Sequence, residues 1–245
     1  MKRAAFLVTC LVAVMFLLNA CNGHQAHQQY MQAYHQLWEA NSFVVERNAT
    51  LVTSGFSTTT VETYYIVRSE NGDMLTANIV FDNMDDAPTM INLYYRDDYV
   101  YSQNITNPEE NFRIQREADY PMICAIEGII EFPKNVIAKQ SIQDTPDGKL
   151  LTFEFDSEKY YEYRFPPSDN DGYRYGEFSS YREPPIYTVL LDDQERIKQV
   201  SGNFCTVNSN AQRSIWDQSY TITFTQYEDV ELDFSGLNEA DYPIL

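Results

Sequence analysis

The sequence predicts an α+β protein built on one large, curved antiparallel sheet with helices covering its inner, concave face. Three observations predict it. Segments rich in Val, Ile, Thr, Tyr and Phe follow one another from about residue 42 to 103 and again from 136 to 227, and these residue types suit a pleated, half-buried surface. Tight-turn signals separate them, as in an antiparallel meander. Helical signals are confined to one stretch before the first run and one between the two. An amphipathic helix must bury its apolar face, and a sheet with one uncovered face offers the surface.

The chain opens with Lys2 and Arg3, runs uncharged and mostly apolar from Ala4 to Leu18, and closes on the small residues before Cys21. This is the build of a secretory signal peptide, here residues 1–20. The apolar run is short of the roughly 20 residues that span a bilayer as a helix. The ending Leu18-Asn19-Ala20-Cys21 resembles the lipobox of bacterial lipoproteins. In that family the cysteine sulfur receives a diacylglyceryl group, the signal is cut just before it, and the new amino end is acylated. The resemblance implies that Cys21 is lipidated and that residues 21–29 form a polar tether. Two or more acyl chains hold a protein at a membrane where one holds it only marginally.

The first mature element reads as a helix from His27 to Ala40. Tyr30, Met31, Tyr34, Leu37 and Trp38 recur at spacings of three and four and gather on one face. Met31, Tyr34, Trp38 and, just beyond, Phe43 are the candidate lining of an apolar cavity; the alternative is that they pack as core. Strands are expected over Ser42 to Thr53, Thr58 to Arg68, Met74 to Phe81, Met90 to Tyr95 and Tyr99 to Gln103. Asn71-Gly72 and Arg96-Asp97-Asp98 supply hairpin turns.

The middle changes character. Asn107-Pro108-Glu109-Glu110 offers a cap, an N1 proline and first-turn acid, predicting a helix to about Glu117. Met122 to Phe132 predicts a second, stopped by Pro133. Sheet resumes with Val136 to Gln143 and Lys149 to Phe155 around Thr145-Pro146-Asp147-Gly148, where proline presets φ and glycine accepts positive φ. Ser157 to Phe165 reads either as a strand or as a short helix capped by Asp156. Pro166 to Pro185 is a tyrosine-rich loop, a candidate binding rim. Ile186 to Leu191 and Arg196 to Val207 form a hairpin, Ser214 to Tyr227 a last strand, and the tail is irregular.

Composition narrows the function. The net charge is −19 over 245 residues, and loss of Lys2 and Arg3 with the signal makes it more negative. Such a chain is repelled by nucleic acid and anionic headgroups. Cys124 and Cys205 remain after Cys10 and Cys21 are accounted for. In an exported protein they are either a disulfide or two buried thiols. His24, His27 and His35 are the only histidines; two lie in the tether, and no metal site is expected. Ser168-Asp169-Asn170-Asp171-Gly172 fails as a calcium loop, since Phe178 stands where a bidentate glutamate belongs. No Gly-x-Ser-x-Gly, His-Glu-x-x-His or glycine phosphate loop occurs, so neither an enzyme nor a cofactor is expected, although paired carboxylates are too common here to weigh either way.

The order of lipobox, aromatic helix, meander, helical insert and second meander resembles the half-barrel bacterial lipoproteins, the Lol-type carriers and related families. The stretch Leu93-Tyr94-Tyr95-Arg96-Asp97-Asp98-Tyr99-Val100-Tyr101 and the hairpin from Tyr187 through Asp192-Asp193 to Ile197 look like those of such families. The resemblance implies one half-barrel domain over residues 30–245, exported and lipid-anchored at the extracytoplasmic face. It implies a concavity that holds a hydrophobic molecule or lipid under a helical lid, with no catalytic residue. The alternative is an envelope interaction or structural protein that uses its tyrosine-rich loops and holds no ligand.

Overall fold

The computed structural model describes residues 25–53, 56–68, 73–83, 87–117, 120–164, 178–181, 183–208 and 215–244. Cys21, His24, Asn71-Gly72 and the stretch from Ser168 to Gly172 lie outside them. A helix, α1 (residues 25–39), leads into β1 (Ser42–Thr53), β2 (Ser57–Val67), β3 (Met74–Asn83), β4 (Thr89–Arg96), β5 (Tyr99–Asn104) and β6 (Phe112–Gln115). A short helix, α2 (Tyr120–Ala125), precedes β7 (Ile137–Thr145) and β8 (Gly148–Phe155). Then come α3 (Ser157–Arg164), β9 (Phe178–Tyr181), β10 (Ile186–Leu191), β11 (Ile197–Asn208) and β12 (Ile215–Tyr227). The protein is mainly β.

Among the described residues all strands join one open, curved antiparallel sheet in the order β6-β5-β4-β3-β2-β1-β12-β11-β10-β8-β7, with β9 beside β11. The two meanders meet where β1 pairs with β12, Arg47 opposite Ile222 and Ala49 opposite Tyr220. The tight turn Asp97-Asp98 has both residues at positive φ, which aspartate tolerates better than bulkier residues.

Alternation sorts the strands into two faces. The inner face carries Phe43 and Val45, Tyr64 and Ile66, Leu75 and Ala77, Phe153 and Phe155, Tyr187 and Val189, and Ile222, all buried in one cluster. α1 packs there. Its buried positions are Ala26, Tyr30, Ala33 and Leu37, a single stripe at helical spacing. The stripe is narrower than the aromatic pattern suggests, and two of its four positions are alanines. Of the two readings left open for this stretch the helix forms: α3 is capped by the Lys159 N–H donating to the Asp156 carboxylate at 3.1 Å, and it stacks Tyr160 on Phe155 with centroids 4.2 Å apart.

One expected helix does not form and a second is cut short. Asn107 to Glu110 closes only a 3-10 turn, and Phe112–Gln115 instead joins β5 as an edge strand. The helix expected over Met122 to Phe132 ends at Ala125, and Gly128 at φ +98° turns the chain out of it. The strand β9 arises within the expected loop after residue 166.

The outer face has a smaller cluster. Tyr94 and Tyr101 are covered by Phe234, Leu237 and Tyr242 from the tail. Arg96 pairs with Glu239, the Arg113 N–H donates to the Pro243 carbonyl at 2.9 Å, and Ile244 bridges Arg113 in parallel at the β6 edge. No helix among the described residues is long and apolar enough to cross a membrane.

Candidate functional site

The centre of the inner face is filled by residues 126–132, which form no regular structure beyond one turn. An irregular backbone that leaves water must find partners for its polar groups. Here side chains supply them; the carbonyls of Gly128 and Ile130 are bonded in partly buried surroundings and those of Glu127 and Glu131 at the exposed edge. Arg47 donates to the Glu127 carbonyl at 3.2 Å, Tyr220 to that of Gly128 at 2.7 Å, Tyr30 to that of Ile130, and Tyr163 to that of Glu131 at 2.7 Å. His27 Nε2 lies 2.8 Å from the Phe132 carbonyl, so the proton sits on Nε2.

Tyr30, Tyr187 and Ile130 close a ring of donors. Tyr30 gives its proton to the Ile130 carbonyl, the Ile130 N–H donates to Tyr187 Oη at 3.3 Å, and the two phenol oxygens are 3.0 Å apart. Tyr187 therefore donates to Tyr30. Burial pushes the phenols of Tyr30, Tyr187 and Tyr220 well above their ordinary value, so they remain protonated donors. Phe132 stacks on Tyr30 at 5.0 Å and meets Phe153 and Phe155 edge-on.

Beside this segment lies a buried charge cluster. Arg47 pairs with Glu62 across β1 and β2 and reaches Glu127 at 2.8 Å. Tyr64 donates to Glu62 at 2.7 Å. Burial raises the Glu62 carboxyl while Arg47 opposes that rise. Arg47 and Glu62 replace apolar residues at inner positions of their strands, and that break in alternation is the sequence signal that marks them. The Cys124 thiol sits against Tyr120 and Tyr64, and burial raises it, the opposite of an activated nucleophile.

Cys124 and Cys205 are not joined. Phe204 reaches the inner cluster and stacks on Tyr220, so its neighbour Cys205 points to the outer face, away from α2. Of the candidate cavity residues, Phe43 is fully buried against Phe224, with centroids 5.5 Å apart. Met31, Tyr34 and Trp38 are partly buried and pack on the same core. His27 is committed to Phe132, and among the described residues no three His, Cys, Asp or Glu side chains group as a metal site.

Two grooves open at one end of the sheet. The larger, about 630 Å³, lies between the β7–β8 and β10–β11 turns and the end of β12, with Asp147, Asp192, Lys198 and Thr225 on its walls. The smaller, about 320 Å³, lies under the C-terminal end of α1, against Ala33, Gln36, Leu37, Ala40 and Glu228. Arg196 and Tyr227 border both. Arg196 lies 4.6 Å over the Tyr227 ring and is held by Asp192 at 2.9 Å. The sequence gives no local sign of this pairing, since the partners come from different strands.

These features define a class: an open antiparallel sheet whose inner face is filled by the chain's own insert. No family model matches the chain, and no curated protein matches it. Among solved structures it is similar to LprF from Mycobacterium bovis, at 8% identity and a TM-score of 0.44, covering 86% of this chain and 96% of that one. It is also similar to a DUF1329 family protein from Desulfovibrio piger, at 11% identity and a TM-score of 0.32, covering 89% and 98%. A β-barrel-like DUF1849 protein from Brucella abortus matches at 10% identity and a TM-score of 0.21, covering 76% and 99%.

Proposed function

We propose that this is a non-enzymatic envelope lipoprotein, exported, anchored through lipid on Cys21, with one half-barrel-like domain from residue 30 onward. On this reading the inner face is the concave face, and it binds a hydrophobic molecule or lipid under the cover made by α1 and residues 120–136. The observation that carries the reading is the way residues 126–132 are held. They contribute to no ladder and no long helix, and side-chain bonds to carbonyls secure them. Each such bond contributes about 1 kcal/mol net. Local opening is therefore cheaper than breaking a strand, and it bares an apolar floor that includes Phe153, Phe155, Tyr187 and Ile222.

The test is native mass spectrometry of the full mature protein released from detergent, beside a denatured control. A bound apolar mass lost on denaturation supports the reading; a clean apo mass from freshly extracted protein rejects it. Separately, Cys21→Ser is expected to leave the membrane fraction, and a variant that stays there removes the lipid anchor from the account.

A second reading, an envelope interaction protein without a ligand, is favoured by one observation: Phe132, Tyr30, Phe153, Phe155 and Tyr187 already fill the inner face with mutual ring contacts. Crosslinking on intact cells that captures a single abundant partner, together with the apo mass, would favour it.

A further inference from the structure

The start of α1 is fixed in place. The His27 N–H donates to Gln140 Oε1 on β7 at 3.0 Å, and His27 Nε2 bonds the Phe132 carbonyl at 2.8 Å. Gln25, the first residue described in this helix, lies four residues after Cys21. A chain of that length reaches at most about 14 Å. With lipid on Cys21, the anchor on which everything below rests, the bilayer surface lies within that reach of the β7 end of α1.

The outward surface of the cover differs from the rest of the chain in charge. The exposed positions of α1 are Gln25, Gln28, Gln32, His35 and Glu39, one stripe at helical spacing. Glu39 is the only Asp, Glu, Lys or Arg in the helix, although the whole chain carries a net charge of −19. On the insert, Glu131 is offset by Lys134, and in α3 Glu158 and Glu162 are offset by Lys159 and Arg164. An anionic chain is repelled by anionic headgroups, and this surface is nearly free of that repulsion.

The same surface is edged with amphipathic rings. Met31, Tyr34 and Trp38 form one flank of α1 and are partly exposed. The Tyr34 and Trp38 rings meet edge-on with centroids 6.3 Å apart. Burial raises the Tyr34 phenol, and Glu131 and Tyr163 are near enough to add to the rise. Tyr163, from α3, is 40% exposed. Tyr and Trp side chains, apolar in body and polar at the tip, gather where a bilayer meets water.

We propose that the outward surface of the cover, made by α1, residues 131–134 and Tyr163, lies on the bilayer that holds the anchor. α1 lies flat there. Upright, it would hold Trp38 about 20 Å from the level of Gln25, at a rise of about 1.5 Å per residue; flat, it lays Met31, Tyr34 and Trp38 along the interface. The outer face of the sheet is turned away from the membrane, and a lipid under the cover is separated from the bilayer by the cover alone.

The test is tryptophan quenching on the full lipidated protein, reconstituted into phosphatidylcholine vesicles with bromine on the acyl chains near the headgroups. Unbrominated vesicles are the reference. The chain has two tryptophans, Trp38 and Trp216, so Trp216→Phe leaves Trp38 as the only reporter. In Trp38→Phe/Trp216→Phe/Tyr65→Trp the reporter moves to the outer face of β2, between the inward Tyr64 and Ile66. Trp38 emission is expected to fall about twofold on the brominated lipid, as for a side chain at the headgroup boundary, and emission of the Tyr65→Trp variant to stay unchanged. Should Trp216→Phe fail to fold, loss of the quenching on Trp38→Phe in the otherwise native chain reads the same contact. Lipidated protein that does not associate with the vesicles overturns the anchor and this surface together. Associated protein in which Trp38 is quenched no more than the Tyr65→Trp variant overturns the surface and leaves the anchor standing.

Discussion

Tyr220 and Gly128 meet through both a bond and a contact. The Tyr220 hydroxyl donates to the Gly128 carbonyl at 2.7 Å, and a Cβ on Gly128 would lie 3.1 Å from the same tyrosine ring. The residue that turns the insert out of α2 is thus the one pinned to the middle of the sheet. That contact ties the position of the cover to a backbone conformation that glycine adopts readily.

Gly128→Ala is expected to destabilise the fold by about 1–3 kcal/mol, combining a positive φ with crowding against Tyr220 and Ile222. Urea unfolding of the variant beside the parent measures it. A loss under half a kcal/mol would mean that the insert relocates easily.

Tyr30→Phe removes one member of the Tyr30–Tyr187–Ile130 ring and leaves a buried carbonyl without its donor. The expected loss is about 1–3 kcal/mol. Tyr163→Phe is the control: its hydroxyl bonds the Glu131 carbonyl at the surface, water replaces it, and the change is expected within about 0.5 kcal/mol. Equal losses at the two positions would contradict the buried accounting.

Arg47→Leu strands Glu62, whose side chain is 6% exposed, and is expected to cost about 3 kcal/mol or more. Arg47→Leu/Glu62→Leu removes both charges and is expected to recover most of that loss. Denaturation of the two single variants and the double variant completes the cycle. Additive losses would mean that the pair does not act as a unit.

Alkaline pH should unfold the protein through its tyrosines. Tyr30, Tyr187 and Tyr220 have folded values raised above the ordinary 10.0 by burial. In the unfolded chain they ionise first, so their contribution is full below about pH 10 and is lost as pH rises beyond it, by about 1.4 kcal/mol per group per unit. Tyrosinate absorbance followed with circular dichroism from pH 9 to 12 should show some phenols titrating only as the fold is lost. Complete titration with the fold intact would refute the burial.

Local pattern revealed the sheet because strand alternation and tight turns are short-range properties, and most strands form where the pattern places them. It misled where a distant partner decided the outcome. Pro108 and two glutamates write a helix start, yet the ladder from Phe112 to β5 wins because it pairs a ready edge. Met122 to Phe132 is apolar enough for a helix, but three tyrosine hydroxyls and an arginine from four other elements satisfy its carbonyls, and no local pattern records that. On α1 the aromatic residues drew attention to Met31, Tyr34 and Trp38, whereas the buried positions are Ala26, Tyr30, Ala33 and Leu37. The charge cluster was legible in principle, as charges at inner positions of Val45-Glu46-Arg47 and Glu62-Thr63-Tyr64. The end grooves were not, since Arg196 and Tyr227 converge only after β10, β11 and β12 have paired.

The tail segment that bridges Arg113 has a consequence for crowding. An open sheet has two rims of unspent backbone donors and acceptors, each a template for another chain. Ile244 occupies one rim at β6, while β7 has no second strand partner among the described residues. The tail therefore blunts part of the β6 rim, and β7 is left as the longer unpaired rim among the described residues.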